Sequence, residues 1–258
     1  MPSKPLNDRS AQSRTLFFWL VALALVASPA DAGEVVIGNG SSVSSGSGKI
    51  ELGCADIQIA GGLSGSLDGA QNVAFFPGAN VIGASVGLSG NWVNNGPRAL
   101  DVFIDWRDGC GVSEASMLGI SDVPALSIAS ESGREIRFDT GGEQRISNSL
   151  SLTGAPGELL RLRSTEMAQL ALLSLEAGGS QLIDSVNVAG IDSRAGQSIA
   201  PGHPFDYNSE QCGAVRNWFV LPPVPIPALG LVSTILFILL MILFGLFHQH
   251  RPPSTIRG

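Results

Sequence analysis

Charged side chains are scarce in this sequence. Lys, Arg, Asp and Glu make up 14% of 258 residues, with 15 bases against 22 acids. Phosphate binding needs a basic patch and none is visible, which argues against nucleic acid as a partner. Histidines number three, and His203 is the only one ahead of the C-terminal apolar run. No histidine is placed to activate a serine in Ser/His/Asp fashion, and no Gly-x-Ser-x-Gly stands ahead of a helix. The three cysteines lie far apart with no Cys-x-x-Cys pair, a poor basis for a metal site. Catalytic residues, metal ligands and cofactors are accordingly not expected. Helical periodicity is also hard to find. Only Glu166–Ala177 invites it, and that stretch fits a buried strand equally well.

What is present is unevenly spread. Hydrophobic residues reach 44% and glycines number 32, but two apolar runs, Leu16–Ala27 and Ala228–Phe247, sit at the ends. Residues 33–220 between them are long enough for one sizeable core. Setting aside Asp8 and Asp31 leaves this middle 20 acids; setting aside Lys4, Arg9, Arg14, Arg251 and Arg257 leaves it 10 bases. The middle is therefore more acidic than the formal net charge of -7 for the whole chain. Its recurring aliphatic residues exclude a disordered segment.

Residues 1–32 have the three parts of a secretory signal peptide. Lys4, Arg9 and Arg14 supply the positive region, Leu16–Ala27 the short apolar stretch, and Ala30-Asp31-Ala32 the small-x-small site for signal peptidase. The apolar stretch is too short to cross ~30 Å of hydrocarbon as a helix. A mature chain beginning at Gly33 is expected. Ala228–Phe247, by contrast, carries no charge and is long enough to span as a transmembrane helix. Before it, residues 221–227 (Leu-Pro-Pro-Val-Pro-Ile-Pro) form an extended Pro-rich linker. After it, residues 248–258 form a short basic tail with His248, His250, Arg251 and Arg257. The positive tail places the C-terminus in the cytoplasm and the middle of the chain outside.

The linker, the Ile226-Pro227-Ala228-Leu229 motif, the single apolar helix and the small basic tail resemble the IPTL-type C-terminal sorting signals of Gram-negative bacteria. The chain departs from the usual family pattern at Ala228, where Thr is usual, and in its looser tail. The resemblance implies a precursor cut near the motif by an exosortase of the H type, a membrane transpeptidase that passes the ectodomain to the surface. A plain membrane anchor of the same length is the alternative, which would leave a permanently anchored periplasmic protein.

The middle reads as strands and turns, with Gly, Asn and Ser punctuating short Val/Ile/Leu alternations. It also repeats. Leu126–Phe138 aligns with Leu150–Leu162 at an offset of 24, and Val186-Asn-Val188 returns 26 residues after Leu160. Such a period without helices predicts an all-β ectodomain, a short right-handed parallel β-helix (β-solenoid). Leu126 would stack on Leu150 and Ile136 on Leu160, with Gly133 and Gly157 at one corner of successive coils. A β-sandwich is the alternative fold, though it leaves the repeat unexplained. Residues 33–97 show no clean offset.

Ser89–Gly96 with Asp101–Asp105, Leu150–Gly154 with Leu160–Ser164, and Asn217-Trp218-Phe219 resemble a motif of bacterial surface β-helices. That likeness implies architecture and surface location rather than chemistry. Trp92 and Trp218 are expected as rim or core aromatics.

Two further features remain. An odd cysteine count allows one internal pair, and Cys54 with Cys110, each beside glycines at a strand-turn boundary, is the favoured bridge between neighbouring coils. Cys110 with Cys212 is the rival. Acids cluster at Asp101, Asp105 and Asp108, next to Arg107. Spacing of four puts Asp101 and Asp105 on one strand face, the basis for a carbohydrate-active or carbohydrate-binding alternative. The reading favoured by the sequence is a non-catalytic surface or extracellular-matrix protein, with a surface polysaccharide as a candidate partner.

Overall fold

A computed structural model describes residues 33–221 and 235–243. The expected signal-peptide cleavage site, Ala30 and Ala32, and the expected sorting motif, Ile226, Pro227, Ala228 and Leu229, lie outside the described residues, and Gly33 is the first one inside. The chain divides into two units, Met1–Val220 and Leu221–Gly258. In the second unit, residues 235–243 are helical and exposed. Among the described residues no helix is long and apolar enough to cross a membrane.

The first unit is a parallel β-solenoid of about eight turns. Alternation dictates its strands. In Val102-Phe-Ile-Asp-Trp-Arg107 every second side chain is buried, so one face of the pleat enters the core and the other meets water. The chain lays successive strands alternately into two sheets, one of nine strands beginning with Glu34–Ile37 and one of ten containing Ser42–Glu51. Strands adjacent within each sheet pair in parallel, which excludes the sandwich, whose sheets are antiparallel.

Between the sheets, equivalent inward residues stack coil on coil. One ladder in the ten-stranded sheet runs Ile50, Leu67, Val86, Ile104, Leu126, Leu150. A ladder in the other sheet runs Ile57, Val73, Trp92, Met117, Phe138. Most of these side chains are fully buried, each contributing roughly 1.5–3 kcal/mol of hydrophobic stabilisation. Trp92 belongs to this core, and its Nε1–H donates to Ser121 Oγ at 3.2 Å. Trp218 helps close the C-terminal end, donating to Ser193 Oγ at 2.7 Å, with Phe219 and Tyr207 beside it.

The 24-residue offset holds for one sheet only. Leu126 pairs with Leu150 and Ile128 with Leu152, as the repeat predicts. In the other sheet Ile136 pairs with Leu162 rather than Leu160, a step of 26. The reason is local. Ala155 and Glu158 form a two-residue hairpin with reciprocal backbone hydrogen bonds of 3.1 and 3.0 Å, which lengthens that corner by two residues. Gly133 therefore faces Glu158, where a Cβ would meet Glu158 Oε2 at 2.8 Å, while Gly157 sits in open space at the hairpin tip. The two glycines do not share a corner position. Val186 does fall on Leu160, 26 residues later.

Coil length also explains the silence of residues 33–97. Ile57 pairs with Val73, Val73 with Trp92 and Trp92 with Met117, giving steps of 16, 19 and 25 residues. Changing corners erase a fixed period while leaving the strands in register. The ambiguous stretch at 166–177 is strand, Ala171–Leu175, preceded by an irregular loop.

Candidate functional site

The acidic cluster singled out by the sequence lies on the outward face of strand Val102–Arg107 and at the corner that follows it. Asp101, Phe103, Asp105 and Arg107 do share that face, since Val102, Ile104 and Trp106 are buried. Four residues of extended chain separate the two carboxylates by ~13 Å, beyond either glycosidase spacing. Exposed Phe103 stands between them. Asp105 is ion-paired with Arg107. Asp101 accepts a hydrogen bond from the Gly83 amide at 2.7 Å and borders a different depression, with Asp122 and Arg145. Asp105, Arg107 and Asp108 instead border a crevice of 210 Å³, smaller than pockets that hold small molecules, about 300–1,000 Å³. No group of three or more metal-ligating side chains occurs among the described residues.

Asp108 has structural work. Its Oδ2 accepts from the Glu131 amide at 2.8 Å, the Ser132 amide at 2.9 Å and Ser130 Oγ at 3.2 Å, so it holds the corner of the next coil. Burial pushes its carboxyl upward, but the hydrogen bonds from Ser132, Ser130 and Glu131 outweigh burial and keep it below the ordinary aspartate value. Its other oxygen lies 3.9 Å from Arg134 Nε.

Arg134 is the cation that sequence reasoning passed over. Its side chain is completely buried. Nη1 donates to the Arg107 carbonyl at 2.7 Å and Nη2 to the Ser89 carbonyl, so one guanidinium ties together corners of three coils. Burial lowers its affinity for the proton and nearby Asp108 partly restores it. Nothing in Gly133-Arg134-Glu135 distinguishes it from a surface arginine.

At this same corner Cys54 and Cys110 form a disulfide, with Cα atoms 5.6 Å apart. The two are not on neighbouring coils. The Cys54 amide donates to the Gly69 carbonyl, the Ser89 amide to the Ala70 carbonyl, and Gly109 packs on Ser89, so two coils intervene. Those two coils turn tightly, and the bridge straddles them. Both cysteines have positive φ, 68° and 49°. Cys212 is exposed and free at the far end.

At the same corner, where the chain enters the nine-stranded sheet, a polar ladder repeats. Asp56 Oδ1 accepts from the Asn72 amide, Asn72 Oδ1 from the Asn91 amide at 2.7 Å, and Asn91 Oδ1 from the Ser116 amide at 2.9 Å. Each side chain satisfies a backbone N–H that a turning strand would otherwise strand. The spacings of 16, 19 and 25 hid this ladder, as they hid the coils. The candidate patch is thus a corner lock built of disulfide, buried arginine and capping carboxylate. Comparisons with family models, with curated proteins and with solved structures return no significant match.

Proposed function

We propose that the chain is an exported, non-catalytic surface protein, made as a precursor and sorted through its C-terminus. Signal peptidase releases the N-terminus at Gly33. The apolar segment at residues 228–247 then holds the precursor in the cytoplasmic membrane, with the 248–258 tail inside. An exosortase-like enzyme cuts near Ile226, Pro227, Ala228 and Leu229 and passes the solenoid to the cell surface or the extracellular matrix. Its coils are right-handed in this reading, as parallel crossovers almost always are.

The observation that carries the proposal is the order of parts along one chain. A solenoid tied by a disulfide, a bond that persists in oxidising compartments, is followed by a proline-rich linker, the Ile-Pro-Ala-Leu motif and an apolar segment. The solenoid supports a structural or adhesive role, because its inward positions are filled by packed aliphatic and aromatic side chains and its acidic cluster is engaged by a strand amide, an ion pair and a corner cap. Mass spectrometry of the native C-terminus tests the sorting step. The expected peptide ends close to Leu229, and a native protein that still contains Phe247 refutes it.

A further inference from the structure

A groove of 690 Å³ runs from the outward face of the nine-stranded sheet, near its C-terminal end, over the corner that leads into the ten-stranded sheet. Arg137 and Arg163 lie side by side on its floor, one rung apart in register, and Arg216 closes its far wall. Glu135 is the single carboxylate among the lining residues. That balance reverses the ectodomain taken whole, where acids outnumber bases two to one. The near wall is the loop after strand Leu160–Ser164, where Met167 is fully exposed.

The three arginines are not equivalent. Arg137 is compensated by Glu135 at 2.7 Å and Glu114 at 3.5 Å, and Arg216 by Asp192 at 3.4 Å. Arg163 has only neutral acceptors. Nη1 donates to the carbonyls of Leu162 and Asn187 at 2.8 and 2.9 Å, and Nη2 donates to Asn187 Oδ1 at 2.7 Å. Three acceptors fix the plane of the guanidinium. Its Nε–H and one Nη2–H have no partner among the described residues, and these two donors form the edge that binds a carboxylate in bidentate fashion.

The floor also limits what can bind. Strand Leu160–Ser164 is paired on both sides, with Glu135–Phe138 and with Val186–Val188. No backbone edge is open for an extended peptide to add as a strand. Recognition must come from side chains, namely guanidinium groups above a shallow aliphatic surface that includes Ala168, Leu170 and Ala189. That suits a linear polymer with its own carboxylates and with C–H faces between them. Arg137 and Arg163 repeat at the rung spacing of ~4.8 Å, comparable to the advance of one sugar ring.

We infer that this groove binds a carboxylate-bearing polysaccharide, a polymer of uronic acid type, with Arg163 as its principal anchor. This rests on the surface-protein reading and supplies its partner.

The test uses the full chain purified in neutral detergent, with oligogalacturonate, its methyl ester and poly-L-glutamate as probes. Oligogalacturonate is expected to bind and its uncharged methyl ester to bind far more weakly. Arg163→Gln should weaken binding about tenfold or more, the value of one charge-assisted pair. Arg98→Gln, which alters an exposed arginine paired with Asp122 and Glu143 on the other sheet, should leave binding unchanged. Unchanged circular dichroism and melting of Arg163→Gln show that the loss is not one of folding. Absence of oligogalacturonate binding, equal binding of the methyl ester, or indifference to Arg163→Gln overturns the inference. Equal binding of polyglutamate overturns it in favour of an acidic peptide. Because binding is measured on purified protein, it is independent of whether residues 228–247 are cut away in the cell.

Discussion

Replacing Cys54 and Cys110 together by serine removes the one covalent link across coils among the described residues. The bridge spans 56 residues of sequence. Closing a loop of that length lowers the entropy of the unfolded chain by about 14 cal/mol/K, or ~4 kcal/mol at 25 °C. A solenoid concentrates this effect. Each coil touches only its neighbours, so stability is roughly a sum of local terms and an end can fray without unfolding the middle. The bridge fastens the coil at Gly53 to the coil at Gly109 over the two between them. Its loss should therefore loosen the N-terminal coils first. In urea, with a slope of about 2–3 kcal/mol per molar, the midpoint for residues 33–220 should fall by roughly 1.5–2 M. Amide exchange should show strands Glu34–Ile37 and Asp56–Ile59 losing protection before Leu160–Ser164 does. An unchanged midpoint with unchanged exchange at the N-terminal strands would refute the claim that the disulfide holds this end. Uniform loss of protection along the whole solenoid would refute the one-dimensional picture instead.

Trp92→Ala, at a position with no exposed surface, should cost about 3–5 kcal/mol, visible as a lower melting temperature. Gly119→Ala and Gly157→Ala separate close approach from conformation. Both glycines have positive φ, but a Cβ at Gly119 would lie 2.1 Å from the Asn94 carbonyl oxygen while one at Gly157 meets open space. The first should unfold or strongly destabilise the protein, and the second should cost only about 1 kcal/mol. Asp108 sets a pH dependence. Its folded pKa lies below the unfolded one, so its contribution is complete above the ordinary aspartate value and is lost as pH falls through the folded value. Asp108→Asn should flatten the loss of stability as pH falls below about 4, measured by melting at successively lower pH.

Much of the fold was legible because its signals are local. Alternation in Val102–Arg107 and in Leu150-Ser-Leu152 fixes strands, and the 24-residue echo of Leu126 in Leu150 fixes their stacking. The hairpin at Pro156-Gly157 shows where this stops. Two additional corner residues leave one sheet in the predicted register and shift the other, and no periodicity argument distinguishes a longer corner from a longer strand. The candidate site was less legible. Asp101, Asp105 and Asp108 are neighbours in sequence, yet the fold sends Asp101 to one depression, pairs Asp105 with Arg107 and spends Asp108 on a turn.

By itself the sequence determined the alternating strands, the coiling they require, the excess of acid in the middle and the apolar segments at either end. Those properties depend on neighbours within a few residues or on a repeat. Only the tertiary structure decided which cation is buried and which is available. Arg134 and Arg163 are alike in sequence, but coil stacking closes three corners over the first and leaves the second on an outward face with two free donors. Burial and pairing of a charge are set by residues from other coils, at distances along the chain that vary with every corner.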